Sequence, residues 1–414
     1  MVDYARNTLN LSGLLSSMPV EKEHWATHKL SQDLEFVIYG YAVGVERVFH
    51  MDDLRSDSLI KKKLGLESLP TSSTLYRDLD QFRSEADVNA LLDVNSAVVG
   101  KVISGDQPII VDIDTTVETV HGTQEGSCLG YNPNYHGRNS YQPFIAFDGV
   151  SKTAICAELR SGKTPSGKEE VSFYSRVKEC LKKGSKVTDV RADRGFGNEC
   201  FMKALDNDGI NYTIKIPVIG SIRAALSTIK DWRRVSSNDD VEVVEVGSIN
   251  YRAKSWSKER RIVAVRKRPG DYGVPRNLSL FEDDDSVYEY QAIVTTRLWD
   301  EEDVWHFYNQ RCTCENYIKE LKGGLGIDRI GKATFFANYA DLILKILAYN
   351  LLIGMASLLH EEPCGNWSIQ RFRRAFLSIP GKLIHHARKC TLYLPEDWRY
   401  REQFMKLRTA VDTG

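Results

Sequence analysis

The pattern of apolar and polar residues divides the chain into regions of different predicted structure. Residues 1–105 have mostly helical patterns, and short apolar runs typical of strands begin soon after residue 106. From there to residue 217, strand-like and helix-like segments succeed one another. We therefore expect a helical N-terminal region, residues 1–105, followed by the first part of an α/β core, residues 106–217.

Seven segments carry the prediction of the core. Five are apolar runs bounded by turn residues, which predict strands, and two have the pattern of helices. Their order predicts a mixed α/β sheet. They are the strands Gln107–Asp114, Tyr141–Phe147 and Thr153–Leu159, the helix Glu169–Lys182, the strand Val187–Ala192, the helix Asn198–Asn207 and the strand Tyr212–Ile216.

Residues 218–290 break this rhythm. They combine short strand-like runs, such as Val241–Val246 and Arg261–Val265, with loops that contain Pro269, Gly270, Gly273 and Pro275. The pattern predicts a β-rich, basic insertion into the core.

The remaining residues predict a return to the core and then a helical end. Residues 291–360 are expected to form the second part of the core, after a strand at Tyr290–Thr295. Residues 361–414 are expected to be a helical C-terminal region. The predicted helices are one long helix from about Asp300 to Leu321 and two more over 333–360 and 367–390.

Composition and charge add few restrictions. The 414 residues suggest two or three domains, and a 42% hydrophobic and 27% charged chain is ordinary for a soluble globular protein. The formal net charge of −1 neither demands nor excludes nucleic acid. Charged residues interrupt the most apolar stretch, Ala340–Leu359, which predicts a buried helix and no membrane partner. We therefore expect a cytoplasmic protein whose eight cysteines are reduced.

Two regions have the composition of nucleic-acid contacts. Asp57–Leu66 and Thr74–Phe82 predict two short helices, and a helix–turn–helix motif and a plain helix pair both fit them. On the first of these, residues 1–105 are expected to be a DNA-binding region. The segment Tyr251–Arg276 holds nine lysines and arginines together with three aromatic residues, Tyr251, Trp256 and Tyr272. For this segment, nucleic-acid contact and a solvated surface both stay open.

Three strand-end or helical carboxylates have the setting required for two-metal phosphodiester chemistry. That chemistry needs acids from different elements to meet around two divalent ions. Asp112 and Asp114 lie two residues apart on one face of a strand, so spacing alone does not choose between them. Asp193 follows Val187–Ala192, at the kind of strand end where α/β sites gather. Structural roles, including helix capping for Asp193, are the alternatives.

Glu315 is the third candidate because of the residues that share its helix face. At about 100° per residue, Tyr308, Arg311, Glu315 and Lys322 fall within a sector of about 60°. Such a set is unusual for a core face and for an ordinary salt-bridged surface. Beside a metal site, Arg311 and Lys322 would hold phosphates and Tyr308 would bond to or stack on DNA.

These residues resemble the signature of DDE transposases of bacterial insertion sequences. Tyr308, Arg311, Glu315 and Lys322 match Tyr-x2-Arg-x3-Glu-x6-Lys, and Asp114-Thr-Thr and Arg191-Ala-Asp193-Arg-Gly-Phe resemble the motifs of its two aspartates. The resemblance covers about residues 70–355. Further stretches resemble the group called DDE group 1, namely His121-Gly-x-Gln-Glu-Gly, Gly130-Tyr-Asn-Pro, His136-Gly-Arg-Asn-Ser-Tyr, Ile318-Lys-Glu-Leu-Lys and Leu347-Ala-Tyr-Asn-Leu-Leu.

The resemblance implies a fold, a site and a reaction. The fold is an RNase H-like core with a β-rich insertion between Asp193 and Glu315. The catalytic and metal-binding residues are Asp114, chosen over Asp112, with Asp193 and Glu315, and the cofactors are two Mg²⁺ or Mn²⁺ ions. The reaction is cut-and-paste transposition. The implied partners are double-stranded DNA, as terminal inverted repeats and target, and a second subunit in a homodimer. The implied location is the nucleoid of a bacterial or archaeal cell.

Three other functions stay open on the sequence. A hydrolytic nuclease with the same core would cut DNA without joining it. A domesticated DNA-binding protein would bind DNA with an inactive core, although all three acids are present. The plainest alternative is a structural protein.

Overall fold

The computed structural model describes residues 1–103, 107–133, 135–163, 167–235, 242–269, 288–386 and 389–413. Part of the predicted basic segment, including Tyr272 and Arg276 and the loop residues Gly270, Gly273 and Pro275, lies outside these ranges. Fourteen strands and thirteen α-helices have bounds within them. The strands are β1 Ile109–Thr115, β2 Glu118–Thr119, β3 Cys128–Leu129, β4 Asn139–Tyr141, β5 Phe144–Asp148, β6 Ala154–Glu158, β7 Val187–Ala192, β8 Asn211–Ile216, β9 Arg233–Val235, β10 Glu242–Tyr251, β11 Arg260–Pro269, β12 Glu289–Thr295, β13 Lys382–His386 and β14 Lys389–Tyr393.

Five of the helices precede β1, and the other eight lie between or after the later strands. They are α1 Leu11–Ser16, α2 Leu30–Val43, α3 Ser58–Leu64, α4 Ser72–Leu79, α5 Glu85–Val102, α6 Gly167–Cys180, α7 Glu199–Asn207, α8 Gly220–Leu226, α9 Glu301–Asn309, α10 Cys312–Leu325, α11 Phe335–Ser357, α12 Ile369–Phe376 and α13 Arg401–Thr413. The predicted helical N-terminal region and six of the seven core segments are confirmed, with small shifts at their ends. The seventh, Tyr141–Phe147, is divided.

The strand order confirms the predicted RNase H-like core. Strand β1 lies between β5 and β7. On one side β5 and β6 continue the sheet as antiparallel neighbours, and on the other side β7 and β8 run parallel to β1. Pro143 separates β4 from β5, so the predicted strand Tyr141–Phe147 is two strands, because proline cannot donate a ladder hydrogen bond.

The predicted β-rich insertion extends the same sheet. Strand β12 pairs antiparallel with β8, and β11, β10 and β9 follow in turn. The result is one sheet of nine described strands. A second hydrophobic cluster, built from valines of these strands with Trp305 and Tyr308, packs α9 onto the extension. The insertion is therefore continuous with the core sheet.

Helix α11 forms the middle of the helical layer. It is long and apolar enough to cross a membrane, but 94% of its most apolar window is buried in the protein. Its Asn350 donates to Asn95 of α5 at 2.9 Å and to the carbonyl of Ala154 in β6 at 2.8 Å. These bonds satisfy buried polar groups and tie the N-terminal helices to the core. The prediction of a buried helix is confirmed.

Two predicted helices are wrong in part. The long helix from Asp300 to Leu321 is interrupted at Gln310 and Arg311, which separate α9 from α10. The N–H of Arg311 donates to the carbonyl of Tyr308 at 2.9 Å, and that of Cys314 to Arg311 at 2.8 Å, so three-residue turns replace the helical spacing.

The predicted helix 367–390 is the second correction. Helix α12 ends at Phe376, and β13 and β14 form a hairpin that the C-terminal region was not expected to contain. Pro380 explains the difference, because it cannot continue a helix. The three-stranded sheet of β2, β4 and β3 was also not predicted.

Candidate active site

Asp112 on β1 is part of a closed ion pair. Its side chain is 0% exposed, and both oxygens accept from Arg191 of β7, from Nε at 2.6 Å and from Nη2 at 2.7 Å. Arg191 also donates to the carbonyl of Phe307 at 2.9 Å. Burial raises the pKa of Asp112, and Arg191 opposes that rise. The pair is fully enclosed, which is the arrangement of a structural ion pair.

Asp114 lies two residues further along β1, near the edge of the sheet. Its Oδ1 accepts from the N–H of Thr115 at 2.8 Å, and its Oδ2 is 3.0 Å from Nη1 of Arg311. Burial raises the pKa of Asp114, while Arg311 lowers it. A small part of the side chain stays exposed, so this acid is accessible where Asp112 is not.

Asp193 reaches the same edge from the neighbouring strand. Strands β1 and β7 are parallel, and Ile113 pairs with Ala192. Asp114 and Asp193 are the next residues after this pair, so they lie side by side at the same end of the sheet. Oδ1 of Asp193 accepts from the N–H of Arg194 at 2.6 Å, capping the short 3₁₀ turn that follows. The same oxygen lies 3.8 Å from Nη2 of Arg311. The capping alternative and the convergence with Asp114 are therefore both present.

Glu315 completes the group from the first turn of α10. Its Oε1 is 3.8 Å from Nη2 of Arg311, and its side chain is 52% exposed. The structure thus brings Asp114, Asp193 and Glu315 together around one guanidinium. The condition that the sequence left open, convergence of acids far apart in the chain, is met.

Arg311 is the centre of this carboxylate group. Its side chain is buried, and it contacts acids from β1, the turn after β7, and α10. Burial acts against its charge, but Asp114, Tyr308 and Asp193 outweigh it and raise the pKa of Arg311. The guanidinium is therefore a permanent cation among the three acids.

The other two signature residues lie at the sides of this group. Tyr308 is buried in the valine cluster, accepts from Nε of Arg311 at 3.4 Å, and has its pKa raised by burial to about 12. Nζ of Lys322 donates to the carbonyl of Val117 at 3.1 Å, which fixes α10 against the segment after β1. In this structure Tyr308 and Arg311 are enclosed by protein, so they can contact DNA only after the residues that cover them move.

The basic part of the insertion is largely engaged within the protein. Arg260 is buried against Asp206 and Glu199, and Arg261 binds Glu301 at 2.8 Å. Arg266 binds Glu245 at 2.6 Å, and Trp256 is buried. These arginines hold strands and helices together, which accounts for much of the basic pattern without nucleic acid.

The donor set of the three acids suits a hard divalent cation. Carboxylate oxygens are the ligands that Mg²⁺ and Mn²⁺ prefer. Across the described ranges, however, histidines, cysteines and acids do not form a compact metal-binding cluster. Each of the three acids instead contacts the guanidinium of Arg311.

The sequence did not reveal the importance of Arg191. It belongs to the motif of the second aspartate, in which the resemblance assigns a role only to Asp193. The sequence does contain one indication of its role. Asp112 and Asp114 lie on one buried strand, so a buried acid there needs a cationic partner from a neighbouring strand.

A comparison with protein families decides the assignment. The model of the family described as "Transposase DDE domain group 1" matches residues 4–413. The chain belongs to this family. The match extends beyond residues 70–355, where the motifs were found, to include the N-terminal helices and the C-terminal region.

The protein is therefore a DNA transposase, an enzyme that acts on DNA in a family that uses divalent metal ions. A search of curated proteins gave no match for the transposase. Among solved structures it is similar to the piggyBac transposase in a synaptic complex with hairpin DNA, at 11% identity over 90% of this chain and 77% of that one. The TM-score is 0.47, so this likeness adds nothing to the assignment.

Proposed function

We propose that the transposase cuts the ends of a DNA element and joins the freed 3′-OH to target DNA, with Asp114, Asp193 and Glu315 as its catalytic residues. The observation that supports this most is the meeting of these three carboxylates at one cation, Arg311. Asp112 is not part of the set, because Arg191 takes both of its oxygens.

The three acids fit a divalent metal by charge and by donor type. They already bind a cation, and two of them, Asp193 and Glu315, are open to solvent on the side where a phosphate would approach. Two bound Mg²⁺ or Mn²⁺ ions would activate the attacking water or hydroxyl and stabilise the leaving oxygen. We assign Asp114, Asp193 and Glu315 as their ligands.

The signature cations contribute to binding of the DNA backbone in this proposal. Arg311 and Lys322 neutralise phosphates beside the carboxylates, and Tyr308 positions the DNA end. Because Arg311 and Tyr308 are buried here, DNA binding would be accompanied by a shift of the turn between α9 and α10. Arg311 would then exchange carboxylate contacts for a phosphate contact.

The partners and location follow from the same reaction. The DNA substrates are the terminal inverted repeats of the element and a target duplex. Bringing two ends together calls for a homodimer, and the expected location is the cytoplasm, at the nucleoid and away from the membrane.

The test uses two glutamates of α10. Purified protein is incubated with a duplex carrying the repeats that flank its gene, a target plasmid and Mg²⁺. Glu315→Gln is expected to abolish cleavage and joining. Glu320→Gln is the matched control, because Glu320 accepts the N–H of Ile369 outside the carboxylate group and glutamine can do the same.

The outcomes separate the proposal from its alternatives. Cleavage without any joined product indicates a hydrolytic nuclease. Specific binding without cleavage by the wild-type protein indicates a DNA-binding protein with an inactive core. Equal activity of the wild type and Glu315→Gln would remove Glu315 from the catalytic set.

A further inference from the structure

The small sheet β2–β4–β3 carries an exposed surface that the proposed chemistry does not use. Tyr131 is 66% and Tyr135 51% exposed, although large aromatic side chains are usually at least half covered. His136 and Arg138 follow them in the sequence and are also exposed. Lys163 is exposed too, and it lies beside Gly130 through a close backbone contact. We call these five residues the tyrosine surface.

The described backbone under this surface is held by a close contact and by a hydrogen bond. A Cβ atom at Gly130 would lie 1.7 Å from the carbonyl oxygen of Gly162, so only glycine permits the loop to pack this closely against the segment before Lys163. Gln142 donates to the carbonyl of Tyr131 at 2.8 Å. The two tyrosines therefore project from a fixed base.

A buried asparagine fixes the second tyrosine. Oδ1 of Asn132 accepts from the N–H of Tyr135 at 3.0 Å, while its Nδ2 donates to Thr119 of β2 at 3.0 Å. The ring of His121 also packs edge-on against Tyr135, with 5.8 Å between the centroids. A site that is ordered before binding loses little entropy when a ligand arrives.

The small sheet that carries the tyrosine surface begins beside the carboxylate group. Strand β2 starts four residues after Asp114, and the N–H of Thr116 donates to the carbonyl of Pro143 at 3.3 Å. Lys322, on the helix of Glu315, binds the carbonyl of Val117 between them. A DNA end that reaches the three acids therefore passes close to this small sheet.

The charge around the tyrosines favours a polyanion. The sequence has no acidic residue from Gly126 to Phe147, whereas acids make up 56 of 414 residues in the whole chain. Arg138 adds positive charge to this stretch, and Lys163 lies beside it across the close contact at Gly130. Exposed aromatic rings beside cations are the combination that binds single-stranded nucleic acid by stacking and by phosphate contacts.

We propose that the tyrosine surface binds unpaired nucleotides at a DNA end, with bases stacked on Tyr131 and Tyr135 and phosphates near Arg138 and Lys163. The inference rests on the proposed function, since it places this DNA at the same sheet edge as the three acids. Paired bases hide their faces inside the helix, so the surface discriminates unpaired nucleotides from duplex.

The test measures binding in EDTA, so that cleavage plays no part. A fluorescent oligothymidylate and a paired duplex of equal length are titrated with the full chain, and fluorescence anisotropy gives each Kd. Tyr131→Ala with Tyr135→Ala is expected to weaken oligothymidylate binding by tenfold or more, since each stacked base contributes about fivefold or more. Duplex binding should change by less than about twofold, because phosphate contacts do not need the rings.

Two further variants make the test specific. Tyr131→Phe with Tyr135→Phe keeps both rings and should keep the wild-type affinity, because stacking does not need the hydroxyl. Tyr393→Ala removes a tyrosine of similar exposure, 56%, from the hairpin β13–β14 and should have no effect.

Three results would overturn the proposal. They are an unchanged oligothymidylate affinity of the double alanine variant, an equal loss of duplex binding, and a loss in Tyr393→Ala as large as in the double variant. The catalytic proposal is judged separately by Glu315→Gln, since binding in EDTA does not require the metal-binding acids to function. Thermal melting of each variant verifies that it is folded.

Discussion

Asp112 and Asp114 lie two residues apart on one strand, and each is paired with a buried arginine, yet the two pairs differ in how many acids share the arginine and in their access to solvent. Asp112 and Arg191 are both enclosed, and Arg191 donates two short hydrogen bonds to Asp112. Arg311 makes a single close contact with Asp114 and lies at 3.8 Å from Asp193 and from Glu315. One arginine serves one acid, and the other is shared among three.

The difference shows how an ion pair becomes available for chemistry. The closed pair has no capacity left, because both carboxylate oxygens and the guanidinium are satisfied within the protein. The shared pair leaves acids under-neutralised beside solvent, and in the proposed function that excess negative charge would attract a metal ion. Proximity to a catalytic residue is therefore a poor guide to function, and the count of satisfied oxygens is a better one.

The largest expected effect is on the open side of the comparison. Asp114→Asn should lower the rate of DNA cleavage by roughly a thousandfold or more, because several kcal/mol of metal-mediated stabilisation are lost. Its melting temperature should change little, since asparagine keeps the acceptor for Thr115. Single-turnover cleavage and thermal melting of the same preparation measure both. If the variant loses activity because it is unfolded, the role of Asp114 is structural.

The next effect is on the closed side. Asp112→Asn leaves Arg191 buried without its counter-charge, which should reduce the free energy of unfolding by about 3–5 kcal/mol. Chemical denaturation followed by circular dichroism gives this value. If the variant is as stable as the wild type but inactive, the assignment of Asp112 as structural is wrong and the choice between the two aspartates reopens.

A double variant sharpens the result for the closed pair. Asp112→Leu with Arg191→Met removes both charges, so its loss of stability should be smaller than the sum of the two single losses by about 1–3 kcal/mol. The bonds of Arg191 to Phe307 and Gln310 are lost as well, so full recovery is not expected. Additive losses would mean that the two side chains do not stabilise one another.

The smallest predicted effect concerns the cation shared by three acids. Arg311→Gln should bind Mn²⁺ about tenfold more tightly in the absence of DNA, because a positive charge close to the ligands opposes a metal ion. Calorimetric titration of the wild type and the variant measures the change, with Lys319→Gln of the exposed face of α10 as a control for net charge. Weaker Mn²⁺ binding would show that Arg311 supports the metal site.

Much of the core was accessible from the sequence because its signals are local. The run Val187–Ala192 is a strand in both the prediction and the structure, and its apolar residues need only their neighbours to indicate it. The small sheet of β2, β3 and β4 gave no such signal, since strands of two or three residues are too short to show a period. The hairpin β13–β14 follows Pro380, which ends the helical pattern that its apolar residues would otherwise continue.

The helix of Glu315 shows why a correct inference can rest on a partly wrong element. The shared face of Tyr308, Arg311 and Glu315 was predicted for one continuous helix, and the chain instead turns at Arg311. Tyr308 and Glu315 still contact Arg311, because Gln310 and Arg311 keep helical backbone angles where the helix is interrupted. What changed is burial, which places Tyr308 and Arg311 inside the protein.

By itself, the sequence determined the family, the strand ends that carry Asp114 and Asp193, and the helix that carries Glu315, since these depend on local pattern and motif. Only the tertiary structure decided that Arg191 closes off Asp112 and that Arg311, 197 residues from Asp114, joins the three acids. It also decided that the insertion strands extend the core sheet. The physical reason is that periodicity specifies which face of an element is buried, while the order of strands in a sheet specifies which distant side chains become its neighbours.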